Sequence, residues 1–418
     1  MSQVRVFTSA ALNYIPKVRL LFQSLRGHHP EWELHLALAD ELPADMDLSA
    51  EPFDFVTPIS DLQIEAWRPW AFCHAIVELA TAIKPFMLSR LLAMPDTAKV
   101  IYLDPDMVVF SRLDDILDAL DEANVALTPH QTRPEIGLVA VMDNEISSLR
   151  HGIYNLGFLG VAATDTGRAI AQWWGDRVYY FCRDDIPHGL FTDQRWMDLV
   201  PALFPGIAIM RSSRHNVATW NLTTRELIRD ESGQYLVDGQ PLGFYHFTGF
   251  DSGAHRLMAT KNIPDNEALE SLITWYQDEM HKQESDPLCN TPWAFATFSD
   301  GKPITRPQRI VYRERADLQA SFPDPFDASG YAEWWKRTAK SEYPGLFDGS
   351  NEKAELARLT AILRPGYGGQ AQRIDWDRTR SLLGQAVGNP EIAARLAKRA
   401  WEILRTEGFQ GVRHRLGS

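Results

Sequence analysis

The chain has 418 residues, is 45% hydrophobic and 23% charged, and carries a formal net charge of −13. That length supports a sizeable core and suits two domains, or one large α/β domain with additions. The acidic balance argues against nucleic acid as a partner, which needs a basic face, and no apolar run approaches the ~20 residues that span a bilayer.

The first residues, Met1 to Phe7, read as a short polar lead into a strand without the apolar stretch of a signal peptide, so a cytoplasmic protein is expected. Cys73, Cys182 and Cys289 are scattered, which suits buried apolar fillers better than ligands or bridges.

Val4–Thr8 is an apolar run ending in Thr-Ser, a strand followed by a turn. Val18, Leu21, Phe22 and Leu25 give 14–26 a helical spacing that Gly27 and Pro30 end. Strands are expected at 33–39, stopping at Asp40, and at 53–57. A helix over 76–92 carries a break near Pro85, and 100–103 is a buried strand. This alternation predicts a mostly parallel sheet flanked by helices, with ligands at the carboxyl ends of its strands. Thr8, Ser9, Asp40, Asp104 and Asp106 all fall at such ends.

Further on, 113–120 reads as a helix, 125–128 as a strand and 129–152 as a long loop. A strand over 154–161, a helix over 164–180 and a helix from Asp193 to Val200 follow. Short late strands are expected at 235–239 and 243–247. Prolines 287, 292, 303 and 307 mark an irregular connection over 283–330, and 331–418 reads as mainly helical. The catalytic domain is therefore expected at 1–282.

The run Val100-Ile-Tyr-Leu-Asp-Pro-Asp-Met-Val-Val-Phe110 carries the chemistry. Two carboxylates leave the end of an apolar strand two residues apart, and Pro105 stiffens the turn between them. Such a pair suits a divalent cation that also takes oxygens from a nucleotide diphosphate and neutralises charge on the departing group. A rival chemistry fits the same letters: a haloacid-dehalogenase-type phosphatase with Asp104 as nucleophile. That scheme usually has the motif on the first strand and wants a later lysine and a further acidic pair, which the chain does not offer plainly. A non-catalytic carbohydrate-binding protein is the third reading.

Five motifs occur in one order over roughly residues 4–250: Thr8-Ser9 with Tyr14; Lys84 and Ser89-Arg90-Leu91; the Asp-x-Asp strand; Asn155-Leu156-Gly157-Phe158 with Thr192-Asp193-Gln194; and Tyr245-His246-Phe247-Thr248-Gly249. This layout resembles a GT-A fold glycosyltransferase, nearest the family-8-like retaining enzymes of the glycogenin and lipo-oligosaccharide galactosyltransferase type. The resemblance implies a Rossmann-like α/β domain, here with a mainly helical C-terminal extension. It implies Mn²⁺ (or Mg²⁺) on Asp104, Asp106 and His246. It places a nucleoside-diphosphate sugar, by family habit a UDP-sugar, near Thr8, Ser9, Tyr14, Asp40, Lys84, Arg90, Asp104, Asn155, Gly157 and Gly249. Catalytic contacts to the transferred sugar fall to Asn155, Asp193 and Gln194. The acceptor would be a glycan or lipid-linked hydroxyl, and the configuration would be retained.

Read without the resemblance, His246 is also a satisfied core histidine, Asn155 a strand-end turn, and Asp193 an N-cap. Trp67, Trp70, Trp220 and Tyr245 are candidates for stacking a sugar. The family often follows its late histidine and glycine with Lys-Pro-Trp, whereas this chain has Phe250-Asp251-Ser252-Gly253-Ala254-His255-Arg256. Arg256 or Lys261 would be the substitutes. The segment from Arg364 to Ser418 carries about +5, so its C-terminal helix is a candidate for peripheral contact with an anionic membrane.

Overall fold

The computed structural model describes residues 3–43, 50–283 and 285–360. The chain forms two compact units, 1–303 and 304–418, the second described as far as Thr360.

The strands of the first unit are β1 (Gln3–Ala10), β2 (Glu33–Leu38), β3 (Phe55–Pro58), β4 (Thr97–Leu103), β5 (Met107–Val109), β6 (Val125–Pro129), β7 (Tyr154–Ala162), β8 (Arg183–Asp185), β9 (Leu190–Thr192), β10 (Ile207–Ile209), β11 (Leu227–Arg229), β12 (Tyr235–Val237), β13 (Gln240–Pro241) and β14 (Phe244–His246). Seven make one sheet in the order β10-β6-β7-β4-β1-β2-β3. β1 pairs in parallel with β2 and β4, β2 with β3, and β6 with β10. The mostly parallel sheet read from the alternation of elements is present.

β7 is the exception. It runs antiparallel to both β4 and β6. The chain leaves β6, makes an excursion over 130–152, and re-enters at the same edge, so no crossover reverses it. One consequence is functional. The start of β7 lies beside the end of β4, with Leu103 opposite Phe158.

The helix Ile15–His28 buries Val18, Leu21, Phe22 and Leu25 against the sheet. Pro16 opens it, and Arg26 and His28 suit the negative end of its dipole. The expected break near Pro85 is real: Ile76–Ala82 is followed by a second helix, Lys84–Ala93, with Pro85 in its first turn. Thr164 caps the helix Asp165–Phe181 by accepting from Gly167 N at 3.0 Å. A Cβ on Gly167 would lie 2.1 Å from the Ala162 carbonyl oxygen, so only glycine lets this helix start so close to β7.

Two local expectations differ from the structure. Residues 129–152 are not a loop throughout, since Leu138–His151 is helical with a wider π-helical turn at Val141–Glu145. This excursion is inside out. Ile136, Leu138, Val139, Met142 and Leu149 are exposed, while Asn144 is buried and donates to Glu135 Oε1 at 2.7 Å. Its apolar positions have helical spacing but no core to face. An open cleft of about 310 Å³ lies between its first residues and Thr223, Lys261 and Asn262. The helix expected from Asp193 is a 3₁₀ segment, Gln194–Leu199, and becomes α-helical only over Val200–Leu203. Pro201, early in that α-helical turn, has no N–H to donate to an earlier carbonyl.

β5 continues from the Asp-Pro-Asp turn and pairs antiparallel with β14, Met107 opposite His246. This two-stranded ribbon brings residue 246 back to residue 106. After it, helices Ala254–Asn262 and Glu267–His281 pack Leu269, Leu272, Ile273 and Tyr276 around Phe247. Residues 287–303 hold short 3₁₀ turns, one fixed by Ala294 N donating to Asp40 Oδ1 at 2.9 Å.

The second unit is helical over the described residues, from Arg306–Glu314 to Glu352–Thr360. Thr305 and Gln308 form a capping box at its first helix, and Tyr331 O–H donates to the Gln308 carbonyl at 2.7 Å. The basic C-terminal helix of the sequence lies outside the described residues. Among those described, no helix is long and apolar enough to cross a membrane.

Candidate metal centre

The turn that carries the acidic pair is local chemistry. Met107 N donates to Asp104 O at 3.0 Å across Pro105 and Asp106, a four-residue turn with proline at its second position. Asp104 N still donates to Gly157 O at 2.8 Å, so the turn begins where β4 leaves β7. The other half is tertiary. Phe247 N donates to Asp106 O at 2.9 Å, extending the β5–β14 ribbon past His246.

Asp104, Asp106 and His246 each offer one ligand atom within 4.8 Å of the others. His246 Nε2 lies 3.1 Å from Asp106 Oδ1 and 3.8 Å from Asp104 Oδ2. On the far side of the ring, Nδ1 faces Asn155 Oδ1 at 3.3 Å. With the proton assigned to Nδ1, Asn155 fixes the ring and leaves the Nε2 lone pair for a cation. Two carboxylates and an imidazole suit a transition metal better than calcium. The residues present therefore fit a divalent cation.

The surrounding charges are arranged in layers. Lys84, 3% exposed, reaches Asp104 Oδ1 and Asp193 Oδ2, each at 3.2 Å, and donates to Leu156 O at 3.3 Å. Its Nζ also lies 4.3 Å from the Tyr102 ring centroid. Burial favours a neutral lysine, but the charges of Asp104 and Asp193 outweigh it and hold Lys84 well above its ordinary value. Asp193 moves up, because it is buried and Lys84 only partly offsets that. One cation thus serves two carboxylates. Asp193 stands at the N-cap position, yet its side chain caps nothing and turns to Lys84 instead. Thr192, at φ +46, makes the backbone turn that allows this.

Tyr102, near the end of β4, precedes Asp104 by two residues, and its phenol reaches the Asp104 carboxylate. Burial, then Asp104, pushes its phenol well up, so the O–H stays and donates to Asp104 Oδ1. Ser9 Oγ lies 3.2 Å from that phenol oxygen. Burial favours a neutral His246, but Asp106 and Asp104 raise it; burial raises Asp106, but His246 and Lys17 lower it.

Asn155 and Gln194 form a closed polar network. Gln194 Oε1 accepts from Leu156 N at 2.8 Å, and Gln194 Nε2 donates to His151 O at 3.0 Å. Asn155 Nδ2 lies 3.4 Å from Gln194 Oε1 and 3.2 Å from His130 Nε2. Burial holds His130 down to about 4, so it accepts as a neutral ring. Gly157 leaves room for this network: an added Cβ would sit 2.5 Å from Met107 Cε, 2.8 Å from Asn155 Oδ1 and 2.8 Å from His246 Cε1. Gly157→Ala is therefore expected to push the His246 ring aside and weaken Mn²⁺ binding by roughly 10- to 100-fold. A calorimetric Mn²⁺ titration checks this, and unchanged affinity would show that the ring position does not matter.

The other residues of the sequence reading lie as follows. Thr8 is fully buried, and its Oγ1 has no hydrogen-bond partner among the described residues. Asp40 is 1% exposed, and its oxygens accept from the N–H groups of Leu12, Glu41 and Ala294. Arg90 donates to the Asp61 carbonyl at 3.2 Å, at the other end of its helix from Lys84. Gly249 has φ +70 in the turn after β14. Tyr14 O–H donates to Asp251 Oδ2 at 3.0 Å. Of the aromatics, Trp70 and Tyr245 are buried in packing, whereas Trp220 meets the His246 ring edge-on at 5.4 Å. Sequence reasoning passed over Tyr102, Lys17 and Asp251. Tyr102 precedes Asp104 by two residues, and Lys17 follows Tyr14 by one helical turn, so spacing alone would have nominated both.

No protein-family model matches this chain. It is 28% identical to the uncharacterized protein YfnF of Bacillus subtilis (strain 168) over 233 residues, 54% of this chain and 75% of that one. It is 25% identical to YfnD of the same organism over 255 residues, 60% of this chain and 79% of that one. Among solved structures it is similar to the galactosyltransferase LgtC, solved with donor and acceptor sugar analogs, at 16% identity and a TM-score of 0.37, over 64% of this chain and 99% of that one.

Proposed function

We propose that the protein is a metal-dependent GT-A glycosyltransferase that moves a sugar from a nucleoside-diphosphate sugar to an acceptor hydroxyl. The observation that carries this is the convergence of Asp104, Asp106 and His246 at strand ends from segments about 140 residues apart in sequence. The order of the five motifs supports it, because that order resembles the retaining family-8-like enzymes. A bound Mn²⁺ would supply positive charge to the diphosphate as it departs.

The chain's own residues do the rest. Tyr102 and Lys84 orient the Asp104 carboxylate, and Asn155 orients the His246 ring. Asp193, buried beside Lys84, presents a carboxylate next to the metal group where a sugar hydroxyl or a developing positive charge would sit. By resemblance the donor is a UDP-sugar and the configuration is retained, the leaving phosphate taking the acceptor's proton. The exposed aliphatic side chains of 136–149 adjoin this network through the His151 carbonyl, which favours a lipid-linked acceptor approaching from that side. A peripheral position at the inner face of a membrane fits such an acceptor.

The phosphatase reading is the weaker, because the third member of the group is a histidine rather than an acidic pair and the lysine precedes the motif. A panel of sugar nucleotides with Mn²⁺, read first by thermal shift and then by release of nucleoside diphosphate, tests the proposal. Stabilisation and Mn²⁺-dependent turnover of one donor are expected. Phosphate release from a simple phosphoester, with no response to any sugar nucleotide, would sink it.

A further inference from the structure

We infer that Lys17 is the protein's own cation for the donor diphosphate and that Asp251 holds its place until the diphosphate arrives; this rests on the glycosyltransferase reading. Lys17 lies in the first turn of the helix Ile15–His28, with its side chain 10% exposed. Its Nζ pairs with Asp251 Oδ2 and sits 4.4 Å from the Tyr14 ring centroid. Tyr14 O–H donates to that same Asp251 oxygen. The chain ties this trio to the metal group: Phe247 N donates to Asp106 O at 2.9 Å, and Asp251 lies four residues further along, in the turn that follows β14. The Asp106 carboxylate feels the Lys17 charge, and the Tyr14 phenol, pushed up first by burial and by Asp251, also feels Asp106 and Asp104.

The two partners of the ion pair differ in character. Lys17 is buried, whereas Asp251 is 57% exposed on the turn that follows Gly249. An ion pair with one partner in solvent is worth little, so exchanging Asp251 for a more highly charged oxyanion is inexpensive.

Charge balance points the same way. A divalent cation, when bound, would neutralise Asp104 and Asp106, and Lys84 is committed to Asp104 and Asp193. A diphosphate would bring several further negative charges. The two cations that the sequence nominates after Gly249 are about half exposed, in surface pairs with Glu270 and Asp143, whereas Lys17 is buried. Lys17 becomes available when Asp251 turns out to solvent.

The test is calorimetric titration of the full chain with UDP, GDP, ADP and CDP in the presence of Mn²⁺. The tightest diphosphate is then compared with its own nucleoside. Lys17→Met, which keeps the length of the stem, is expected to weaken the diphosphate by roughly 10- to 100-fold, while nucleoside and Mn²⁺ affinities persist and report a folded site. Asp251→Asn is expected to tighten the diphosphate, because it removes the resident competitor. Wild-type diphosphate affinity in Lys17→Met, with the wild-type protein binding well, would overturn this role alone. A wild-type protein that binds none of the four would overturn the donor reading and this inference with it.

Discussion

Asp106→Ala is expected to lower kcat/KM for the donor by about 10³-fold, the loss of several kcal/mol of charge stabilisation in the transition state. Asp106 Oδ1 lies nearer to His246 Nε2 than Asp104 does, and its backbone carbonyl closes the ribbon that delivers His246. Because that backbone bond survives the substitution, the fold should persist. Thermal unfolding without metal should be little changed, whereas stabilisation by Mn²⁺ should vanish. Chelator should reduce the turnover of the wild-type protein to the level of the variant. Full turnover in Asp106→Ala, or wild-type turnover undiminished by chelator, would reject the metal site.

Lys84→Met should be the most destabilising single change at the site, costing about 3–5 kcal/mol, because it leaves a buried carboxylate uncompensated. Asp193 is the carboxylate concerned, since it is 2% exposed and its Oδ2 has Lys84 as its cation. Asp104 is less exposed to the loss, being 25% open to solvent and still bonded to Tyr102. Adding Asp193→Asn to Lys84→Met removes the stranded charge, so the double variant should recover much of the loss. Urea unfolding of the four proteins in the cycle measures the coupling. Additive losses, or a Lys84→Met protein as stable as wild type, would mean that the lysine does not hold the aspartate.

The two experiments probe different features of one site. The first removes a candidate ligand that lies within a local motif of the sequence. The second removes a residue whose importance lies in what it stands between. Lys84 opens a helix, Asp104 follows the end of β4 and Asp193 follows a strained turn, and the three come within ion-pairing distance from segments far apart in the chain.

The order of strands and helices through residue 103 was legible because apolar spacing and proline positions act locally. The Asp-Pro-Asp turn was legible for the same reason. The excursion over 130–152 was not, because its apolar residues have helical spacing yet face outward, and spacing carries no information about what a face meets. The 3₁₀ start at Gln194 was missed because an aspartate at an N-cap position ordinarily caps, and here it pairs with a buried lysine instead.

The sequence alone determined an alternating α/β scaffold and a carboxylate pair on a proline-stiffened strand end, and His246 entered as a candidate ligand through the resemblance. Only the tertiary structure decided that His246 reaches Asp106, that Lys84 is shared by two aspartates, and that Lys17 pairs with Asp251. Those facts depend on pairing between segments far apart in the chain. Local propensity fixes what each segment becomes, while the register of β5 on β14 and of β4 on β7 fixes which side chains meet.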